Sequence, residues 1–161
     1  MAKAARPIPE GYRSVTPQLI VKSGAEALEF YKRAFGAVEL MRMYGPDGKI
    51  LAHAELRIGD SIVFVADEFE GSPVKSPTSL GGTSASIYLY VEHADSTMER
   101  AVSAGALVHM PPNDMFWGDR VGSVIDPFGY HWAIATHTED LTPQEVSKRK
   151  DAFYAKMAKS G

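Results

Sequence analysis

The chain has 161 residues, 45% of them hydrophobic and 23% charged, and 17 basic against 20 acidic side chains give a formal charge of −3. This is ordinary for a globular protein and excludes wholesale disorder, collagen and coiled coil, while the missing basic excess argues against a nucleic-acid partner. The chain has no cysteine, which excludes disulfides, thiolate metal sites and cysteine nucleophiles and is compatible with the cytoplasmic location we expect. No apolar stretch approaches the ~20 residues that span a bilayer. The start of the chain has basic residues with no apolar run behind them, so neither a membrane partner nor a signal peptide is expected.

Residues 1–13, with Pro7, Pro9 and Gly11, read as an arm. Val15 to Val21 is a strand candidate, with Leu19 and Val21 on one face and Thr16, Gln18 and Ile20 on the other. Ser23 and Glu26 have the spacing of a capping box. The helix behind them repeats Ala27, Leu28, Phe30, Tyr31, Ala34 and Phe35 at helical spacing and stops at Gly36. Strands are predicted over Val38 to Tyr44, Lys49 to Ile58 and Ser61 to Asp67, with turns at Pro46-Asp47-Gly48 and Gly59-Asp60. Residues 69–83 read as a linker rich in Gly, Pro, Ser and Thr. The pattern then restarts: a strand from Ser84 to Val91, a helix from Asp95 to Ala104 capped by Gly105, and a short strand from Ala106 to Met110. A polar loop from Pro111 to Asp114 follows, then strands Arg120 to Asp126 and Tyr130 to His137 around the turn Asp126-Pro127-Phe128-Gly129. Thr142, Pro143 and Glu145 announce a last helix.

The chain repeats itself. Leu19-Ile20-Val21 matches Leu89-Tyr90-Val91, and Gly36-Ala37 matches Gly105-Ala106. The expected fold class is therefore α+β, with two tandem β-α-β-β-β units at 14–68 and 84–137 and a C-terminal helix in 138–161. Sheet edges and the last helix, with Phe153, Tyr154 and Met157, need cover, and a homodimer is expected.

Several segments resemble the vicinal oxygen chelate superfamily of glyoxalases, bleomycin-resistance proteins and extradiol dioxygenases. Glu29-Phe30-Tyr31-Lys32-Arg33-Ala34-Phe35-Gly36-Ala37 is similar to its first helix, and Asp126-Pro127-Phe128-Gly129 to the hairpin before its last strand. His53 to Asp60 and Met115 to Arg120 resemble the PhnB-like branch. The resemblance implies curved mixed sheets around a cavity. It also implies that metal-dependent members carry a ligand on the first and last strand of each unit. Counted by strand alternation, those positions are Thr16, Phe64, Ser86 and Ala133, none of them an ordinary ligand for a divalent metal. No cofactor is therefore predicted.

The same alternation gives the cavity lining. It turns Gln18, Phe64, Tyr88 and Tyr90 to the cavity, while Trp117 and Arg120 sit at the head of a strand near its rim; these six are the candidate ligand-binding residues, and a small aromatic or amphiphilic molecule is the candidate partner. A binding protein that sequesters such a molecule is one expectation. The alternative is an enzyme of the superfamily (a lyase, isomerase or dioxygenase), metal-dependent through a displaced site or working by acid–base chemistry. His53, Glu55 and His131 are its catalytic candidates, because imidazole titrates near neutral pH.

Overall fold

The computed structural model describes residues 6–158. The first unit runs β1 (Gln18–Val21), α1 (Gly24–Phe35), β2 (Val38–Tyr44), β3 (Leu51–Ile58) and β4 (Ser61–Asp67). A one-turn helix, α2 (Pro77–Leu80), interrupts the predicted linker; four residues are too few for periodicity to reveal. The second unit runs β5 (Ser86–Tyr90), α3 (Ala94–Ser103), β6 (Leu107–Asp114), β7 (Asp119–Ile125) and β8 (His131–His137), followed by α4 (Pro143–Ala158). The strands form two four-stranded sheets ordered β1-β4-β3-β2 and β5-β8-β7-β6, each with one parallel pair, β1 with β4 and β5 with β8. This is the expected α+β fold of two β-α-β-β-β units. Among the described residues, no helix is long and apolar enough to cross a membrane.

Strand alternation sets which face is buried. Leu19, Val21, Ala54, Leu56, Val63 and Val65 point to the helix side of the first sheet, and Val124, Trp132 and Ile134 to that of the second; all belong to one core. Helix α1 contributes Phe30, Tyr31 and Phe35, with Phe35 and Trp132 ring centroids 4.5 Å apart. Glycine at 122 lets α3 lie close on β7: a Cβ there would collide with the Met98 sulfur.

Two polar joints lock the units together. Asp126, 3% exposed, accepts hydrogen bonds from the Tyr31 hydroxyl at 2.8 Å and Trp132 Nε1 at 2.9 Å, and from the amides of Phe128 and Tyr130 at 2.9 Å. Burial pushes its carboxyl above the ordinary value, and these donors work in the opposite direction. The Tyr130 hydroxyl accepts from the Ile20 amide at 2.8 Å and donates to the Ile20 carbonyl at 3.0 Å, so the turn of the second unit holds β1 of the first.

Several local expectations change. Strand β1 starts at Gln18, behind Pro17, so Thr16 lies outside it; β3 starts at Leu51. Ser23 caps α1 by position but makes no side-chain cap bond, and Asp67 Oδ1 accepts from the Gly24 amide at 2.6 Å in its place. The Thr142–Glu145 box does form, with the Thr142 amide donating to Glu145 Oε2 at 2.8 Å. Helix α3 ends at Ser103 with Ala104 as its cap, and Gly105 follows at φ 119°. The expected polar loop at Pro111–Asp114 is instead part of β6. That strand is the edge of its sheet, and the prolines fall within a register irregularity between Met110 and Asn113. An edge strand tolerates proline because a missing amide on its outer side breaks no ladder bond.

Candidate functional site

The sheet faces turned away from the helices carry the polar chemistry, and they hold it in two separate clusters. On the first sheet, Gln18 is paired with Phe64 and Phe64 with Glu55, so the three form one row across β1, β4 and β3. His53 Nε2 lies 3.2 Å from Glu55 Oε1, and the His53 and Phe64 rings meet edge-on with centroids 4.8 Å apart. Tyr12, from the N-terminal arm, donates its hydroxyl to Glu55 Oε2 and packs its ring against Phe64 at 6.2 Å. The Tyr12 hydrogen bond, above all, holds the Glu55 carboxyl below its ordinary value, against the effect of burial and with help from His53. The arm is thus part of this face. No periodicity marks Tyr12 in the sequence, and the reading of residues 1–13 missed it.

On the second sheet the corresponding row is Tyr88, Ala133 and Ser123. One strand end away sits Asp119, 3% exposed. Its Oδ2 accepts from the Tyr90 hydroxyl at 3.0 Å, Trp117 Nε1 at 3.1 Å and the Tyr88 hydroxyl at 3.4 Å, while Oδ1 pairs with His137 Nδ1 at 2.7 Å. The far nitrogen of His137 is 3.0 Å from Asp140 Oδ1. Burial pushes Asp119 up, but the hydrogen bonds from His137, Tyr90 and Trp117 outweigh it and leave the carboxyl below its ordinary value. Burial and the Asp119 charge push the Tyr88 phenol up to about 12, which keeps it a donor at neutral pH. The three rings stay open, with Tyr88 46%, Tyr90 61% and Trp117 36% exposed. Trp117 is backed edge-on by Phe116 at 4.9 Å, and Phe116 by Phe153 of α4 at 5.5 Å, so the last helix docks on its own chain behind this cluster. Sequence reasoning passed over Asp119. The signal was an acid in step with Val121 and Ser123 on the face opposite Trp132.

The remaining candidates fall elsewhere. Arg120 lies on the helix side, where its Nε is 2.8 Å from Asp95 of α3 and its Nη1 is 3.1 Å from Asp114. Alternation places it opposite Asp119, away from the open face. His131 shares a face with Ala133 but meets the His109 ring edge-on at 4.9 Å, on the other sheet from His53 and Glu55. His109 belongs to β6. A cavity of about 610 Å³ at the seam between the units is lined by Arg13, Thr16, Asp60, Tyr88 and Tyr90, among others.

The donor set does not fit a divalent metal at the positions that family resemblance marks. Thr16 precedes its strand and its hydroxyl turns to the Arg13 carbonyl at 3.5 Å, while Phe64 and Ala133 offer no donor atom. Among the described residues, no three His, Cys, Asp or Glu side chains are grouped to hold a metal ion.

Comparison with known proteins completes the picture. The chain is 43% identical over 136 residues to the uncharacterized protein Rv0887c of Mycobacterium tuberculosis, covering 83% of this chain and 79% of that protein. It is similar in structure to TioX from Micromonospora sp. ML1, with 27% identity, a TM-score of 0.61 and coverage of 78% of this chain and 98% of that one. The PhnB protein from Bacillus cereus shares the fold at 16% identity and a TM-score of 0.59, over 77% of this chain and 99% of that one. The family profile for the Glyoxalase/Bleomycin resistance protein/Dioxygenase superfamily matches residues 13–134. With its repeated unit, its Asp126 turn and this match, the chain belongs to the glyoxalase/bleomycin resistance protein/dioxygenase superfamily.

Proposed function

We propose that the chain binds a small aromatic or amphiphilic molecule, without a metal, on the open face of its second sheet. One observation carries this reading: Tyr88, Tyr90 and Trp117 all turn their polar atoms inward to Asp119, so what they offer outward is ring surface. Rings held by a buried acceptor lose little freedom when a ligand stacks on them. The acid–base alternative has less support, because Tyr12 already occupies one oxygen of Glu55 and His131 stands on the other sheet. A homodimer in the cytoplasm remains the setting we propose, with the exposed β2 and β6 edges covered.

The test is a fluorescence titration of the full chain with the neutral aromatic probe N-phenylnaphthylamine, alongside elemental analysis of untreated protein. We expect saturable binding and no stoichiometric transition metal. Trp117→Ala, in an open turn, should keep the fold and weaken binding about two- to tenfold, since one aromatic contact is worth ~0.5–1.5 kcal/mol. An unchanged affinity in the variant, or about one tightly held metal per chain, would overturn the reading.

A further inference from the structure

We infer that the ligand of this face carries an organic cation without N–H groups, such as a quaternary ammonium, seated on the outer faces of Tyr90 and Trp117 above buried Asp119. This rests on the aromatic-binding reading and sharpens it. Tyr88, Tyr90 and Trp117 already crowd Oδ2 of Asp119, and His137 meets Oδ1. With Asp119 only 3% exposed, a ligand ammonium cannot reach it for a hydrogen bond. What remains is the non-directional part of its field, which favours a cation that needs no acceptor.

The charge balance agrees. His137 lies between Asp119 and Asp140, so the trio is net −1 with His137 protonated and −2 with it neutral, negative in both cases. Each phenol that donates to an anion also gains π-electron density, which strengthens the attraction of a ring face for a cation. The geometry says where the cation sits. The Tyr88 and Tyr90 centroids are 5.1 Å apart and inclined at 49°, too close to admit a cation between them, so it rests on an outer face. Arg13 lines the seam cavity that Tyr88 and Tyr90 also line, which assigns the cation to the Trp117 side.

The experiment compares three probes by titration calorimetry on the full chain: choline, its uncharged isostere dimethylbutanol, and ethanolamine. Choline should bind about tenfold more tightly than either of the others, and Tyr90→Leu should weaken choline about three- to tenfold. Asp119→Asn should remove the preference for choline over dimethylbutanol. If that variant does not fold, Tyr90→Leu at its exposed position still decides the matter. Equal affinity for choline and dimethylbutanol, or unchanged choline binding in Tyr90→Leu, overturns the inference. The naphthylamine probe separates the two readings: binding of that probe with no choline preference overturns the cation alone, whereas choline binding without it overturns the neutral aromatic reading and keeps the cation.

Discussion

The open faces of the two sheets begin from the same unit and the same register, yet they close differently. Each holds one low-exposure carboxylate. On the first sheet Glu55 is met by Tyr12, which arrives from a separate segment of chain and covers Phe64 as it does so. On the second, Asp119 is met by Tyr88 and Tyr90 of β5 and His137 of β8, with Trp117 two residues upstream. The origin of the donor decides the outcome. A donor from an arm brings its own backbone and hides the face, while donors from the sheet itself leave their rings uncovered. The repeated unit therefore supplies two equivalent surfaces, and the donors that meet Glu55 and Asp119 leave one covered and the other open.

That comparison is open to direct attack. The largest effect is expected from Asp119→Ala, which strands four donors at once; it should cost about 3 kcal/mol in urea unfolding. Glu55→Ala should cost only about 1 kcal/mol, because the arm can return Tyr12 to water. Equal losses would show that the two carboxylates are held alike and the contrast is wrong. Next in size is Tyr12→Phe, expected to cost about 0.5–1.5 kcal/mol and to speed tryptic cleavage after Arg13 with the second unit unaffected. Cleavage at the unmodified rate would mean that the arm is held by something other than its hydroxyl.

The smallest effect concerns pH. Glu55 and Asp119 are both held below the ordinary carboxylate value, so their contribution is present above that value and is lost as the pH falls through the lowered one. His137 is held above the ordinary imidazole value, chiefly by its hydrogen bond to Asp119 and then by Asp140. Its contribution is complete below the ordinary value and is lost as the pH rises through the raised one. Acid should thus loosen both faces and mild alkali only the second. Thermal melts across this range should show an alkaline decline that His137→Gln flattens; an alkaline decline unchanged in His137→Gln would assign it to another group.

Where the sequence was read correctly, the cause was short-range. Period-two alternation put Leu19 and Val21 on one face, which is the core face, and Thr142 with Glu145 formed the box that their spacing announced. Where it was read wrongly, a partner distant in sequence had intervened. Ser23 lost its capping role to Asp67, 44 residues on in the sequence. Pro111 and Pro112 stayed in a strand because β6 is an edge. Arg120 was expected near the cavity rim, but Asp95 of α3 holds it on the helix side.

The sequence by itself determined the two units, their strand order of burial, the family, and the aromatic character of one face, because each follows from local periodicity or a contiguous motif. Only the tertiary structure decided which carboxylate each face would keep and what would cover it. Tyr12 and Glu55 stand 43 residues apart, and Tyr88 and Asp119 stand 31 apart. Such pairs leave no local signature, since a hydrogen bond between distant segments is set by how the sheets and the arm come together and not by the propensity of any residue.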